Sequence, residues 1–151
     1  DFYTSMNSPV GPLTLFEDQG ALTALEWGRA PASRSTPLLN EATRQLTAYF
    51  DGGLRDFDLP LAPVGGTEFQ QRVWQAMRDI PYGRTETYGE LAARIDGAAR
   101  AVGGACGANP LPILIPCHRV TGAGGRMTGY SAGEGIETKR ALLRLEGATL
   151  I

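Results

Sequence analysis

The chain is poor in the residues that build cross-links and metal sites. It has two cysteines, Cys106 and Cys117, and a single histidine, His118. Neither residue type occurs earlier in the chain, and there is no CxxC or HxxxH spacing, so we expect no metal and no other cofactor. Two cysteines in a reducing compartment are expected to stay free rather than form a disulfide.

Long hydrophobic runs are also missing. None approaches the roughly 18 to 20 apolar residues that cross a bilayer. The N-terminal DFYTSMNSPVG lacks the basic-then-apolar layout of a signal peptide. We therefore expect a cytoplasmic, monomeric protein without a membrane partner. At 151 residues and 42% hydrophobic composition, the chain can bury one core or two small ones packed together.

Charge is unevenly distributed. Residues 1–66 carry four basic against eight acidic residues, a net charge of −4, whereas residues 67–151 carry ten basic against eight acidic residues, a net +2. Positions 97–133 hold Arg100, Arg119 and Arg126 and no acid. This local charge of +3 suits a polyanionic partner, although three arginines are also common on a solvated surface.

The N-terminal part has the pattern of a three-stranded antiparallel sheet followed by a helix. The segments FYTSM, LTLFE and ALTALEW alternate in the manner of strands and are separated by the turn-rich SPVGP and DQG. Apolar residues then recur at helical spacing over 38–50, before a DGG stop. LPLAPVGG, at 59–66, has the composition of a linker. We predict a β-β-β-α domain over 1–63 and a second domain over 64–151.

The second part is predicted to be mostly helical, which makes the fold class α+β. Capping boxes at 67–70 and 87–90 begin two helices, and an Asp-Gly turn leads into a third, AARAVGGACG. Two short helices joined by a tight turn are typical of a helix-turn-helix. A last helix is predicted at roughly 137–146.

The helix AARAVGGACG is unusually small, because Arg100 is its one long side chain. Gly103 and Gly104 cost up to about 1 kcal/mol each relative to alanine. Something must therefore approach this helix closely. Spacing alone favours packing against another helix, and the alternative is a nucleic-acid backbone that Arg100 would reach.

The run ANPLPILIPCHRVTGAGG, at 108–125, places the single histidine directly after a cysteine. Its prolines exclude helix and hold the preceding residues extended, so 113–115 are expected to form a short, buried, strand-like segment. A cysteine beside an aliphatic run is often only a small apolar residue. Here His118 and Arg119 supply donors that favour a Cys117 thiolate. Because neighbours in an extended chain rarely face each other, His118 would act through a water, with Glu146 orienting its ring.

These residues resemble those of the alkylguanine-DNA alkyltransferases, direct-reversal repair proteins that take an alkyl group from the exocyclic oxygen of guanine, and also of thymine. The family's active-site signature is similar to PCHRV at 116–120. Further motifs similar to those of the family occur on both sides of it, in the same order as in the family: IPYG at 80–83, TYGELA at 87–92, ARAVG at 99–103, TGY at 128–130 and KRALLRLEG at 139–147. The resemblance implies a ribonuclease H-like N-terminal part and a winged-helix-like helix-turn-helix in the C-terminal part.

The resemblance also implies a reaction. Cys117 would attack the alkyl carbon in a single displacement and keep the alkyl group as a stable thioether, so that each molecule acts once. Glu146, His118 and a water would remove the thiol proton, and Tyr88 would donate a proton to the departing guanine. Cys106 would face the same pocket.

The implied partner is double-stranded DNA carrying an alkylated guanine, bound through the minor groove. Arg100 would fill the gap left by the flipped nucleotide, because the alkylated oxygen cannot be reached while the base is stacked. Ala101 and Gly104 would face the DNA, since the narrow minor groove admits little bulk.

Four further residues would shape the site around the flipped base. Asn109 would join the two parts of the fold. Tyr130 would lie against the base, and the Ser131 amide would reach the guanine oxygen. The Val120 carbonyl would accept from the guanine amino group.

Other functions stay open at this point. An alkyltransferase-like damage sensor would flip the base without accepting the alkyl group, but that class replaces the cysteine that Cys117 supplies here. A helix-turn-helix regulator would bind DNA without chemistry. A thiol hydrolase generally brings its histidine from a distant part of the chain, whereas His118 is adjacent to the cysteine.

Overall fold

The computed structural model describes residues 2–130 and 132–148. The chain divides into two compact units, with the boundary between Val64 and Gly65.

The first unit begins with a three-stranded antiparallel sheet, as predicted. Its strands are β1 (Phe2–Met6), β2 (Leu13–Asp18) and β3 (Ala21–Trp27), in the order β1-β2-β3. Alternation along β2 and β3 places one side chain in two on the inner face of the sheet. The leucines of this face are buried, and each contributes about 1.5 to 3 kcal/mol through burial.

Helix α1 (Pro37–Phe50) covers that apolar face of the sheet. The hydroxyl of Thr36 accepts from the amide of Leu39, and Pro37 occupies the first turn, so the helix starts with its free amides partly satisfied. Leu39, Leu46 and Tyr49 recur at helical spacing and are fully buried. The β-β-β-α order follows the prediction.

The segment after α1 is not the free linker that its composition indicated. The amide of Leu22 donates to the carbonyl of Pro60 (2.9 Å), and the amide of Ala62 donates to the carbonyl of Leu22 (2.8 Å). Prolines forbid donation only at their own nitrogen, so the residues between them can still pair with the edge strand β3. Residues 60–64 therefore belong to the first unit.

The second unit is built on four helices: α2 (Glu68–Met77), α3 (Tyr88–Arg94), α4 (Ala99–Gly107) and α5 (Ile136–Leu145). Both predicted capping boxes are present, at the starts of α2 and α3. Helices α2 and α3 both pack on α4. The buried indole of Trp74 donates to the carbonyl of Ala105 (2.8 Å), which ties α2 to α4.

Two short parallel strands, β4 (Glu86–Thr87) and β5 (Val120–Thr121), bring the start of α3 beside the PCHRV segment. The predicted α+β class is confirmed, with a three-stranded sheet and helix followed by a mostly helical unit containing a helix-turn-helix. Within the part of the chain that the structure describes, no helix combines the length and the apolar character needed to cross a membrane.

The prediction of a strand-like segment at 113–115 is wrong in geometry, although these residues are buried. Pro112 and Ile115 pair with each other as a bridge, and Ile113 has a φ of 74°. The prolines exclude helix but do not prevent a tight turn between them. A β-branched residue with positive φ is strained, and such strain persists where the surrounding packing enforces it.

Candidate active site

Cys117 lies at the end of this tight turn and opens a 3-10 turn, Cys117–Arg119. Its amide donates to the carbonyl of Ile115 (2.8 Å), and its side chain is buried, with 8% of the residue exposed. Asn109 fixes the turn from the side: its Nδ2 donates to the carbonyl of Ile115 (2.9 Å), and its Oδ1 accepts from the amide of Leu111 (3.0 Å). Hydrogen bonds therefore fix the backbone of the turn that leads to Cys117, and with it the position of the sulfur.

His118 and Glu146, which are distant in sequence, meet in the interior. The imidazole Nε2 lies 2.8 Å from Glu146 Oε2, and both side chains are fully buried. The second ring nitrogen, Nδ1, is buried and has no hydrogen-bond partner among the described residues. An ionised carboxylate only accepts, so Nε2 carries the proton and Nδ1 keeps its lone pair.

Burial lowers the pKa of His118, and the hydrogen bond and charge of Glu146 offset this only in part. Arg119 and Lys139 lower it further through their charges. The imidazole is therefore neutral at physiological pH, and Nδ1 is able to accept a proton.

Arg119 lies in the same buried cluster as His118 and Glu146, and this position changes the interpretation of the charge over 97–133. Its Nε and Nη2 donate to the two oxygens of Glu146 at 2.8 and 2.9 Å, and its Nη1 donates to the carbonyl of Ile80 (2.7 Å). The residue is 6% exposed. The charge of +3 predicted for 97–133 therefore overstates the surface charge by one. Arg119 is buried and binds the Glu146 carboxylate, so it does not reach a polyanion outside the protein.

The two thiols are free but differ in environment. Burial raises the pKa of Cys117, and the hydrogen bond from Asn109 and the charge of Lys139 act against that increase. Burial raises the pKa of Cys106 to about 12, and a negative charge on Cys117 adds to this. The Cys106 thiol also contacts Met77 Sδ at 3.5 Å. Cys106 therefore remains a thiol at neutral pH, whereas Cys117 has two groups beside it that favour its thiolate.

A small cavity lies against both sulfurs. Its volume is about 30 Å³, and its walls include Cys117, Cys106, Asn109, Pro112 and Tyr130. By the same measure, a cavity needs about 10 to 15 Å³ to hold one water molecule. The cavity accommodates a group of methyl size and is smaller than a purine base.

Two tyrosines border this region. Burial is the main cause that raises the pKa of Tyr88, followed by the charge of Cys106, and its hydroxyl is hydrogen-bonded to Thr128. Burial also raises the pKa of Tyr130 well above its ordinary value, and the Tyr130 hydroxyl has no partner among the described residues. Both hydroxyls are therefore protonated at neutral pH, so that each is a potential donor.

Lys139 belongs to the same buried region, although sequence reasoning did not single it out. Its Nζ donates to the carbonyls of Val120 (2.5 Å) and Thr128 (2.8 Å). The Val120 carbonyl, predicted to accept from guanine, is thus already bonded once and has one lone pair left. Ser131, the other predicted contact to the base, lies outside the described residues. The sequence does set Lys139 apart in one respect, because it is the single lysine among the fourteen Lys and Arg residues.

The exposed face of α4 distinguishes between the two explanations of its small residues. Arg100, Ala101 and Gly104 are all exposed. A Cβ added at Gly103, Gly104 or Gly107 would meet no atom within 4 Å. Packing within this chain therefore does not require these glycines, contrary to the preference that spacing alone gave. Their small size leaves a surface that an external backbone can approach closely.

A buried Cys-His-Glu cluster beside a helix-turn-helix with a small-residue face defines a class: a DNA-binding protein with a thiol nucleophile. Two family models cover most of the chain. The 6-O-methylguanine DNA methyltransferase, ribonuclease-like domain, matches residues 2–63, and the 6-O-methylguanine DNA methyltransferase, DNA binding domain, matches residues 68–148. The chain belongs to the 6-O-methylguanine DNA methyltransferase family.

Relatives of known name are similar along the whole chain. A methylated-DNA--protein-cysteine methyltransferase of Methanosarcina acetivorans is 45% identical over 157 residues, which cover 97% of this chain and 99% of that protein. One from Mycobacterium tuberculosis is 50% identical over 153 residues, with coverage of 95% and 91%. The crystal structure of Mycobacterium tuberculosis OGT in complex with DNA has a TM-score of 0.85 and 50% identity, and covers 96% of this chain and 92% of that one.

Proposed function

We propose that this protein repairs DNA by direct reversal: it transfers an alkyl group, such as methyl, from the exocyclic oxygen of guanine to Cys117, once per molecule. The observation that carries the proposal is the buried His118–Glu146 contact of 2.8 Å next to a cysteine that lines a methyl-sized cavity. Relatives at 45 to 50% identity bear the name of this activity.

The first step is removal of the thiol proton. His118 is neutral and its Nδ1 lone pair is available, so it accepts the proton of Cys117 through a bridging water. Glu146 bonds Nε2 and stabilises the imidazolium that forms. This relay through a water fits an adjacent Cys-His pair, because neighbouring side chains diverge.

The second step is a single displacement. The Cys117 thiolate forms a bond to the alkyl carbon while the bond from that carbon to the guanine oxygen breaks, and the electron pair stays on the base. Tyr88 donates its proton to the departing guanine, and the proton held by His118 then returns to Tyr88 through solvent. A thioether does not hydrolyse, so the protein is consumed.

DNA is held by the helix-turn-helix. The small exposed face of α4, with Ala101 and Gly104, lies in the minor groove, and Arg100 occupies the space of the flipped nucleotide. The purine does not fit the cavity of about 30 Å³ as it stands, so base binding enlarges it by side-chain rearrangement, with Tyr130 against the base. Asn109, Val120 and Ser131 keep the roles assigned to them from the family resemblance.

The two compact units, with their boundary at Val64 and Gly65 and so one residue beyond the predicted 63/64, act as two domains, of which the second carries all of the proposed chemistry. We also propose that the protein works in the cytoplasm, where cellular reductants keep Cys117 a free thiol.

Intact-mass spectrometry tests the proposal. The protein is mixed with a duplex containing one O6-methylguanine, and a gain of one methyl mass on the peptide that carries Cys117 is expected. The matched controls are Cys117→Ser, which should bind the damaged duplex without a mass gain, and Cys106→Ser, which should react like the parent. A methyl group on Cys106 alone would overturn the assignment. Binding without any transfer would indicate a damage sensor instead.

A further inference from the structure

Lys139 is a buried ionisable side chain that the proposed chemistry leaves unused. It lies near the start of α5 and is 0% exposed. It is also the single lysine of the chain, whereas the other thirteen basic residues are arginines. A residue type that occurs once, at a fully buried position, calls for a physical explanation.

The contacts of Lys139 do not neutralise its charge. Its two hydrogen-bond partners are the backbone carbonyls of Val120 and Thr128, and among residues 2–130 and 132–148 no carboxylate forms an ion pair with it. Carbonyl dipoles satisfy two of the three ammonium protons. A buried ammonium without a counter-charge is costly, so an anion close to it would be strongly stabilised.

The net charge of the buried site is +1 when both thiols are protonated. Glu146 is negative and is bonded by the Arg119 guanidinium, so these two charges cancel. His118 is neutral because burial lowers its pKa. With both thiols protonated, the Lys139 ammonium is the remaining charge. Ionisation of one thiol makes the buried cluster neutral.

Geometry brings Lys139 to the segment that carries Cys117. Helix α5 packs on the turn that Cys117 opens, and Lys139 Nζ bonds the carbonyl of Val120, the residue that ends this turn. Burial lowers the pKa of Lys139, and a thiolate at Cys117, followed by one at Cys106, acts against that decrease and favours the charged lysine.

Asn109 bonds the Cys117 side chain, and Lys139 acts on it through its charge. A Cys117 thiolate in turn raises the pKa of Cys106, Tyr88 and Tyr130, none of which is a cation. A second buried cation, Arg119, is already paired with Glu146.

We propose that Lys139 is the counter-ion of the Cys117 thiolate, and so a positioning residue that holds the nucleophile in its ionised form. The inference rests on the proposed function only in taking Cys117 as the acceptor. Lys139 keeps its three protons throughout and forms no bond to the alkyl group. The thiol proton still leaves by way of His118.

Methylation of the free protein by methyl iodide tests this without DNA. In that reaction the sulfur-carbon bond forms, iodide leaves, and only the thiolate reacts at an appreciable rate. The rate at Cys117 is measured against pH for the parent, for Lys139→Met and for Arg140→Met. Arg140 is the matched control, because it is the next residue on α5 and pairs with Glu137 at the surface.

Loss of Lys139 should raise the apparent pKa of Cys117 by about one or more. The rate at pH 7 then falls about tenfold or more and recovers at high pH, whereas Arg140→Met follows the parent curve. A purely structural role would lower the rate equally at every pH. A Lys139→Met curve that superimposes on the parent curve, or that is lower by one constant factor, would refute the proposal.

A second measurement needs no change at Lys139 and decides the matter if Lys139→Met does not fold. Labelling with ¹³C- and ¹⁵N-lysine gives a single side-chain signal, because the chain has one lysine. Coupling is reciprocal, so Cys117→Ser should lower the pKa of Lys139 more than Cys106→Ser does. An equal lysine pKa in parent and Cys117→Ser would overturn the proposal. Both assays omit DNA, so failure of alkyl transfer from guanine would count against the proposed function and not against this pairing.

Discussion

Glu146→Gln perturbs the buried charge cluster with the least change of shape. Glutamine keeps the size of the side chain but leaves the Arg119 guanidinium, which is 6% exposed, without a counter-charge. Two charge-assisted hydrogen bonds, of 2.8 and 2.9 Å, lose their ionic character, and so does the 2.8 Å contact with His118. Breaking a buried ion pair on one side costs about 3 to 5 kcal/mol.

That cost is large for a protein of this size. Unfolding free energies of small proteins are about 5 to 15 kcal/mol, so Glu146→Gln should remove a substantial fraction of the stability. It should also slow alkyl transfer, because His118 loses the carboxylate charge that stabilises its imidazolium form. The unfolding free energy is measured by urea titration, followed by circular dichroism.

Arg119→Met supplies the other side of a double-mutant cycle. Alone it should be strongly destabilising, because it leaves the Glu146 carboxylate buried without its arginine. The double variant should cost much less than the two single changes added together, since replacing both members of a buried pair is often nearly neutral. The surface control is Arg44→Met, whose partner Glu41 is 42% exposed and whose loss should leave the unfolding free energy almost unchanged. Additive costs at Glu146 and Arg119 would refute this account of the cluster.

Two further predictions concern pH and the DNA-binding face. Burial lowers the pKa of His118 below its ordinary 6.5, so the unfolded chain binds this proton more tightly than the folded one. The unfolding free energy should therefore fall as pH drops below about 6.5, and His118→Asn should weaken that slope; an unchanged slope in the variant would contradict it. Gly104→Leu adds bulk where a Cβ meets no atom within 4 Å, so stability should hold or rise while affinity for duplex DNA falls at least about tenfold by fluorescence anisotropy. Unchanged affinity would exclude α4 from the DNA contact.

Local sequence signals predicted much of the fold. The three strands and α1 follow from alternation, helical spacing and a DGG stop, and all four are present within a residue or two. Both capping boxes form as expected, because the residues involved are three apart and need no tertiary contact. The last helix spans Ile136–Leu145, with Glu146 as its C-cap, close to the predicted 137–146.

The errors arise where long-range contacts decide the structure. The prolines around Ile113 restrict their neighbours, but the Pro112–Ile115 bridge, which produces a turn instead of a strand, depends on packing. Arg119 was counted as surface charge, because no local pattern shows that a carboxylate 27 residues later would pair with it. The small residues of α4 were first attributed to packing, and only the coordinates show open space beside them.

The candidate site was predicted in part. Glu146 was offered from the sequence as the residue that orients His118, and the structure shows their 2.8 Å contact. The individual roles of Cys117, Tyr88 and Arg100 stay predictions. Lys139 was missed because a lysine in an amphipathic helix is normally exposed, and its burial depends on two carbonyls from other segments.

The central claim is irreversible transfer of carbon to Cys117, and the most direct test follows the carbon itself. A duplex whose guanine carries a tritium-labelled methyl group on its exocyclic oxygen is incubated with increasing amounts of the protein. We expect label to accumulate on Cys117 up to one methyl per chain and then to stop, with no labelled methanol in solution. Label released as methanol, or more than one equivalent of guanine restored per chain, would contradict it.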